Sequence, residues 1–410
     1  MLASRRSAAA DRGTGANPGT LSRPGPRPSR IITALMQTDL MNRPVRRLLV
    51  VCPTWLGDTI MATPTLRALR GLYPQGHITV LIRHAHRAIL EACPWVDRFV
   101  TIRTRRKGIP DARRRGPFNL ARRLAAGRFD AAVVLPNSFR AAAMVRMAGI
   151  PRRIGYDRDG RGGLLTDRLL PRRQMGKFIP VPTHEYYLGV ARYLGAVDPD
   201  PTLQLFTRPE DDQRARGLLG RAGIDLGALH REARPFILIS PGANYGEAKL
   251  WMPQRFAQVA DRCVQDLGAT VALSGSPKER PILDQVLGAA HSSLVDLPSL
   301  GVDLGALKCI FKEASLLVTN DSGARHIAAA FRVPVVTIFG PTDPAWTDIS
   351  YGRERQVWAD VFCRPCQKKK CPLRGTADDH ICMRRIDAQM VYEHVTQLLS
   401  AAPDRVGASA

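Results

Sequence analysis

Three short blocks hold residue types that could do acid–base and anion-binding chemistry. The first is Pro53-Thr54-Trp55-Leu56-Gly57-Asp58, which follows a short apolar run. Gly57 permits a tight turn. Asp58 stands where a helix begins, so two readings are open. An aspartate there can cap the helix, or it can point into a cleft as a general base.

The second block is Ser240-Pro241-Gly242-Ala243-Asn244-Tyr245-Gly246-Glu247-Ala248-Lys249-Leu250-Trp251. Small residues between a strand and a helix expose backbone N–H groups to an anion. Lys249 can add a point charge to a phosphate. The competing reading for a lone loop lysine is solvent exposure, and the strand–small loop–Lys–helix context favours the phosphate. Trp251 reads as packing.

The third block is Thr319-Asn320-Asp321-Ser322-Gly323-Ala324-Arg325-His326. Asp321 and Ser322 can cap the following helix. The same N–H groups, with the Ser322 hydroxyl, can hold a pyrophosphate. His326 falls near the end of the first turn, where a lone histidine is more often structural. Phe339-Gly340-Pro341-Thr342-Asp343-Pro344 then forms a rigid rim with Thr342 or Asp343 available to a cleft. A late cluster, Cys363-x2-Cys366-x4-Cys371 followed by His380 and Cys382, allows a zinc site, disulfides or an ordered loop. Lys368, Lys369, Lys370 and Arg374 around it favour contact with an anion. Cys52, Cys93, Cys263 and Cys309 lie in apolar segments and read as buried thiols. This cysteine usage fits a reducing compartment.

These blocks need elements to position them, and the pattern supplies strand, loop and helix in alternation. Strands are predicted at 48–51, 78–82, 99–102 and 130–135, with helices over 59–72, 85–92, 120–126 and 139–148. Residues 156–183 are basic, Gly-rich and read as irregular, followed by a helix over 184–194. Asp198-Pro199-Asp200-Pro201 reads as a linker. The pattern restarts with strands at 236–239, 270–273, 316–318 and 333–339. Helices are predicted over 253–267, 279–287, 304–313 and 324–331. Strands alternating with helices imply a parallel sheet covered on both faces. The expected organisation is a disordered tail over 1–42, a first Rossmann-like lobe over 43–200 and a second over 201–360. A Cys-rich segment with a last helix occupies 361–410. Met36 and Met41 also allow a later start. Ligands of such sheets bind beyond the carboxyl ends of strands.

The chain has 410 residues and a formal net charge of +24, which points to an anionic partner. Residues 101–177 alone hold 20 Lys/Arg against 5 Asp/Glu. No run of 18 apolar residues spans a bilayer, and the apolar stretch at 31–36 is too short for a signal peptide. Asp157-Arg158-Asp159 has the form of a metal-binding D-x-D, but it lies among arginines and reads as paired with them. A G-x-G-x-x-G fingerprint is missing, which disfavours a nicotinamide-dependent oxidoreductase. The basic stretch has almost no aromatics and no zinc-finger spacing, which disfavours a nucleic-acid-binding protein.

The blocks at 53–58, 240–252, 318–330 and 339–344 together resemble the ADP-heptose:lipopolysaccharide heptosyltransferases, over about residues 45–400. The late cysteines are most similar to those of the second heptosyltransferase branch. The resemblance implies an α/β GT-B fold with the acceptor on the first lobe and ADP-heptose on the second. It implies inversion at the sugar carbon with no required metal or cofactor. By the same resemblance Asp58 is the base and Lys249 steadies the departing diphosphate. Gly242, Ala243, Asn244, Asp321, Ser322, Gly323 and His326 line the donor, and Trp55, Gly57 and Arg83 the acceptor side. A metal on Cys363, Cys366, Cys371 and Cys382 is a separate possibility. The implied setting is a cytoplasmic monomer touching the inner-membrane surface, with an anionic glycolipid acceptor and no nucleic acid. A related transferase using another nucleotide sugar is the alternative. Arg325 departs from the apolar residue common in the family, and the 103–115 basic insert is unusual.

Overall fold

The computed structural model describes residues 45–103 and 117–401. The tail expected over 1–42 and the basic insert, apart from Arg103, fall outside them.

Two six-stranded parallel sheets organise the chain. The first contains β1 (Arg47–Val51), β2 (His77–Arg83), β3 (Arg98–Ile102), β4 (Ala131–Val134), β5 (Arg152–Tyr156) and β6 (Asp167–Leu169). A two-stranded antiparallel hairpin follows, β7 (Arg173–Gln174) and β8 (Lys177–Phe178). The second sheet contains β9 (Phe236–Ser240), β10 (Thr270–Leu273), β11 (Val295–Asp296), β12 (Leu316–Asn320), β13 (Val335–Ile338) and β14 (Glu354–Val357). The strand orders are β3-β2-β1-β4-β5-β6 and β11-β10-β9-β12-β13-β14. Both are the doubly wound order, in which the chain reverses direction between the first and fourth strands.

The apolar runs explain why both sheets are covered on two faces. Successive strand side chains point to opposite faces. Leu48 and Val50 enter one buried cluster, whereas Leu49 and Val51 enter another. Likewise Phe236 and Leu238 face one core and Ile237 and Ile239 the other. Continuous Val/Ile/Leu strands have no solvent face and so demand helices on both sides. The expected α/β GT-B architecture of two Rossmann-like sheets is found.

The differences from expectation lie where the strands are polar. β5 (RRIGY) buries only Ile154 and Gly155. It pairs in parallel with β6, and Arg152 bonds the Asp167 carboxylate at 3.0 Å. The region read as irregular therefore contains an edge strand and a hairpin. The helix expected over 85–92 is instead a 3-10 turn, His84–His86, followed by one turn at Arg87–Leu90. Asp159 pairs with Arg158 at 3.8 Å. Asp157 packs against Gly162, where a β-carbon would lie 2.3 Å from the carboxylate.

Candidate active site

The exits of β1, β9 and β12 meet. The helix Leu56–Met61 after β1 packs against the helix Gly323–Ala330 after β12. Glycine sets the spacing of that contact. A β-carbon on Gly57 would lie 2.7 Å from His326 Cδ2 and 3.5 Å from Gly323 Cα. Gly57 is therefore needed for close approach of the two lobes rather than for an unusual turn.

Asp58 is the third residue of its helix. The helix cap is Trp55, whose side chain makes no capping bond, so Asp58 does not serve as the cap. Thr59 ties the turn instead, donating to the Trp55 carbonyl at 2.9 Å. Burial pushes the Asp58 carboxyl from 3.8 to about 6, with Lys249 opposing and Asp321 adding to the rise. Charges on β9 and β12 loops thus act on a carboxylate from the β1 loop. Tyr187 is buried and feels the Asp58 charge. Trp55 is half exposed, and Arg83 at the end of β2 donates to the Thr54 carbonyl at 3.0 Å.

Lys249 ends a 3-10 turn, Glu247–Lys249, and is buried. Its ammonium is ion-paired with the Asp321 carboxylate and donates to the Asp321 carbonyl at 3.2 Å. It also lies 4.8 Å over the Tyr245 ring. Of the two readings for this lysine, solvent exposure is excluded. Burial alone would raise the Asp321 carboxyl, but Lys249, Arg325 and the 2.8 Å Thr342 hydroxyl bond outweigh it and hold it low. Asp343 instead caps the short turn Pro344–Trp346, accepting from the Ala345 N–H at 3.0 Å.

Ser322 caps the helix Gly323–Ala330, accepting from the Ala324 N–H at 3.4 Å. Arg325 and His326 are both buried in its first turn. Arg325 is anchored by Glu354, at 2.7 Å for one of the two bonds, and by the Thr347 carbonyl at 2.9 Å. The departure at 325 is thus satisfied by a charge on β14. Burial and then the Arg325 charge push His326 down to about 3, so its ring is neutral near pH 7.

Gly242 stands against Glu279, where a β-carbon would lie 2.1 Å from the carboxylate. Glu279 accepts from the Ser276 N–H at 2.6 Å. A cavity of roughly 550 Å³ opens beside these residues, lined in part by Ala243, Asn244, Trp251, Glu279 and His380. Trp251 also packs edge-on against Phe256, and its indole N–H donates to the Ile386 carbonyl at 2.9 Å. Sequence reasoning missed Glu279, Thr342 as a partner of Asp321, and Tyr187. The Ser-Pro-Lys-Glu capping-box pattern at 276–279 was the one available signal for Glu279.

All four thiols of the late cluster are free, with Cys382 buried and the other three half-buried. The convergent metal-ligating group among the described residues is Cys371, Asp379 and His380. The four thiols do not themselves form such a group. Cys52, Cys93, Cys263 and Cys309 are buried.

Comparison with known proteins agrees with this geometry. The model of glycosyltransferase family 9 (heptosyltransferase) matches residues 118–377. Lipopolysaccharide heptosyltransferase 2 of Escherichia coli K12 is 30% identical over 317 residues, covering 73% of this chain and 84% of its own. Lipooligosaccharide heptosyltransferase 2 of Haemophilus ducreyi is 28% identical, covering 88% and 97%. The solved structure of E. coli ADP-heptose lps heptosyltransferase II superposes with a TM-score of 0.69 at 25% identity, covering 86% and 98%. With two doubly wound sheets that meet at the exits of β1, β9 and β12, and with the family match over more than half of its length, this chain belongs to glycosyltransferase family 9, the heptosyltransferases.

Proposed function

We propose that the chain transfers a heptose from ADP-heptose to a lipopolysaccharide inner-core acceptor of the heptose or Kdo type, with inversion. The observation that carries this reading is Asp58, raised toward neutrality on one lobe while Lys249 and Asp321 of the other lobe act on it. The acceptor hydroxyl oxygen attacks the anomeric carbon as its proton passes to Asp58. The bond from that carbon to the diphosphate oxygen breaks, and ADP leaves with the electron pair. Lys249 and the N–H groups at Ser322 and Gly323 stabilise the charge that develops on the diphosphate.

The second lobe, 201–360, holds the donor in this scheme, with the nucleotide in the cavity beside Gly242, Ala243, Asn244 and Glu279. His326 contributes a neutral surface at the lobe contact. The first lobe, 43–200, takes the acceptor along Trp55, Gly57 and Arg83. Its basic character suits a phosphorylated or acidic glycolipid and the anionic cytoplasmic face of the inner membrane. No helix among the described residues is long and apolar enough to cross a membrane. The transferase is proposed to act as a monomer with no added metal or cofactor in the transfer step.

Calorimetric titration with ADP, UDP, GDP and ADP-heptose tests the donor. Preference for ADP and ADP-heptose supports the proposal. Tight, selective binding of another nucleotide would move the enzyme to a different sugar on the same fold.

A further inference from the structure

The Cys-rich segment has no account in the transfer chemistry. Residues 361–380 form neither strand nor helix, and they are long for an unbraced loop. They nevertheless support the Lys249 turn directly. The Lys369 carbonyl accepts from the Ala248 N–H at 3.1 Å. The Tyr245 hydroxyl donates to the Gln367 carbonyl at 2.9 Å. The Gln367 N–H donates to the Pro341 carbonyl at 2.8 Å, and Arg364 donates to the Gly340 carbonyl at 3.0 Å. Gly246 has no room for a side chain, since a β-carbon there would lie 2.4 Å from the Lys369 carbonyl.

Something must hold such a segment rigid, and its own side chains offer the means. The Cys371 sulfur, an Asp379 carboxylate oxygen and a His380 ring nitrogen all lie within 4.8 Å of one another. The Cys371 sulfur accepts the His380 backbone N–H at 3.3 Å. Asp379 holds His380 Nδ1 at 2.5 Å, the arrangement by which a carboxylate orients a ligating imidazole through its other nitrogen. His380 adopts a left-handed φ of 50° to reach this position. Three further unpaired thiols, Cys363, Cys366 and Cys382, belong to the same segment.

We propose that the segment Cys363–Cys382 binds one thiophilic divalent cation of the zinc class. Cys371 and the His380 ring, which the structure brings together with Asp379, are its ligands, and the ion braces the Lys249 turn. Mixed sulfur and nitrogen donors in a closed tetrahedral site suit zinc, and such a site is structural rather than catalytic.

The test is metal analysis of the full chain, purified under reducing conditions from zinc-supplemented growth, together with cobalt(II) substitution. One equivalent of metal per chain is expected, and the cobalt form should show thiolate-to-metal charge-transfer absorption. Cys371→Ser should lose the metal and the band. Should that variant fail to fold, stripping wild-type protein with pyridine-2,6-dicarboxylate supplies a second readout. The melting temperature should fall, and ADP affinity should drop several-fold and recover on adding zinc. A metal-free wild type with no cobalt charge-transfer band would overturn the proposal. So would disulfides among these thiols in reducing buffer, or a Cys371→Ser protein that keeps the band. Metal content does not depend on which nucleotide binds, so this inference and the donor assignment fail separately.

Discussion

The Lys249 ammonium at the exit of β9 is held against the Asp321 carboxylate at the exit of β12, with both side chains buried. The lysine therefore has no free charge waiting for a ligand. Arg325 adds a positive charge 3.8 Å from Asp321, but Glu354 already neutralises it. In the proposed mechanism the N–H groups at Ser322 and Gly323 are the polar surface that meets an arriving diphosphate. On the same proposal the ion pair responds to charge that builds as the diphosphate departs, which would favour the transition state over the ground state.

Removing half of this pair leaves a buried charge without its partner. Lys249→Ala should cost about 3–5 kcal/mol of stability and slow transfer strongly. The double variant Lys249→Ala/Asp321→Ala should be less destabilised than the two single losses added together. Thermal melts of the three proteins check this, and strict additivity would mean the pair is not coupled.

Asp58→Asn should abolish transfer while leaving ADP binding nearly intact. Wild-type activity should rise with pH through about 6 as the Asp58 carboxylate forms. The same shift predicts a stability effect. The folded-state value lies above the ordinary 3.8, so the folded protein binds more protons between the two values. Stability is therefore lost as pH rises through that window. Asp58→Asn should raise stability at pH 7 by on the order of 1–2 kcal/mol, discounted for partial exposure. Normal turnover in this variant would remove Asp58 from the mechanism.

Gly57→Ala places a methyl group against His326. The expected result is a large fall in turnover with the fold retained, because the lobes are held apart. A compensating His326→Ala in the same chain should restore part of the rate, since it removes the clashing ring. A Gly57→Ala enzyme with wild-type kinetics would show that close lobe contact is not needed.

Arg325→Ala should destabilise the chain by about 3–5 kcal/mol by leaving Glu354 buried and unpaired. Replacing both by apolar residues of similar size should be far milder. Circular-dichroism melts distinguish the outcomes, and a harmless Arg325→Ala would mean Glu354 finds another partner.

How much of this was legible beforehand depends on what each feature rests on. The β1, β9 and β12 runs carry their burial in consecutive apolar residues, so both sheets and their doubly covered faces could be read locally. The loops that follow them were legible for the same reason, since a strand exit opening a helix is a local event. β5 and β14 were not, because Arg152 is made compatible with a sheet by Asp167, and Glu354 by Arg325 together with Thr337 and Gln356. The hairpin within 173–178 was hidden in a basic, Gly-rich stretch with no alternation to read.

The sequence by itself determined the fold class, the positions of the three loops and the residue types available to each. These follow from periodicity, turn chemistry and side-chain chemistry, which act over a few residues. Only the tertiary structure decided that Lys249 is paired rather than free and that Gly57 is small because His326 lies against it. It also decided that Asp58 titrates near 6 and that the Lys249 turn leans on the cysteine segment. Those are properties of burial and of charges brought together from distant parts of the chain. Desolvation and Coulomb energy depend on distance in space, which the order of residues does not state.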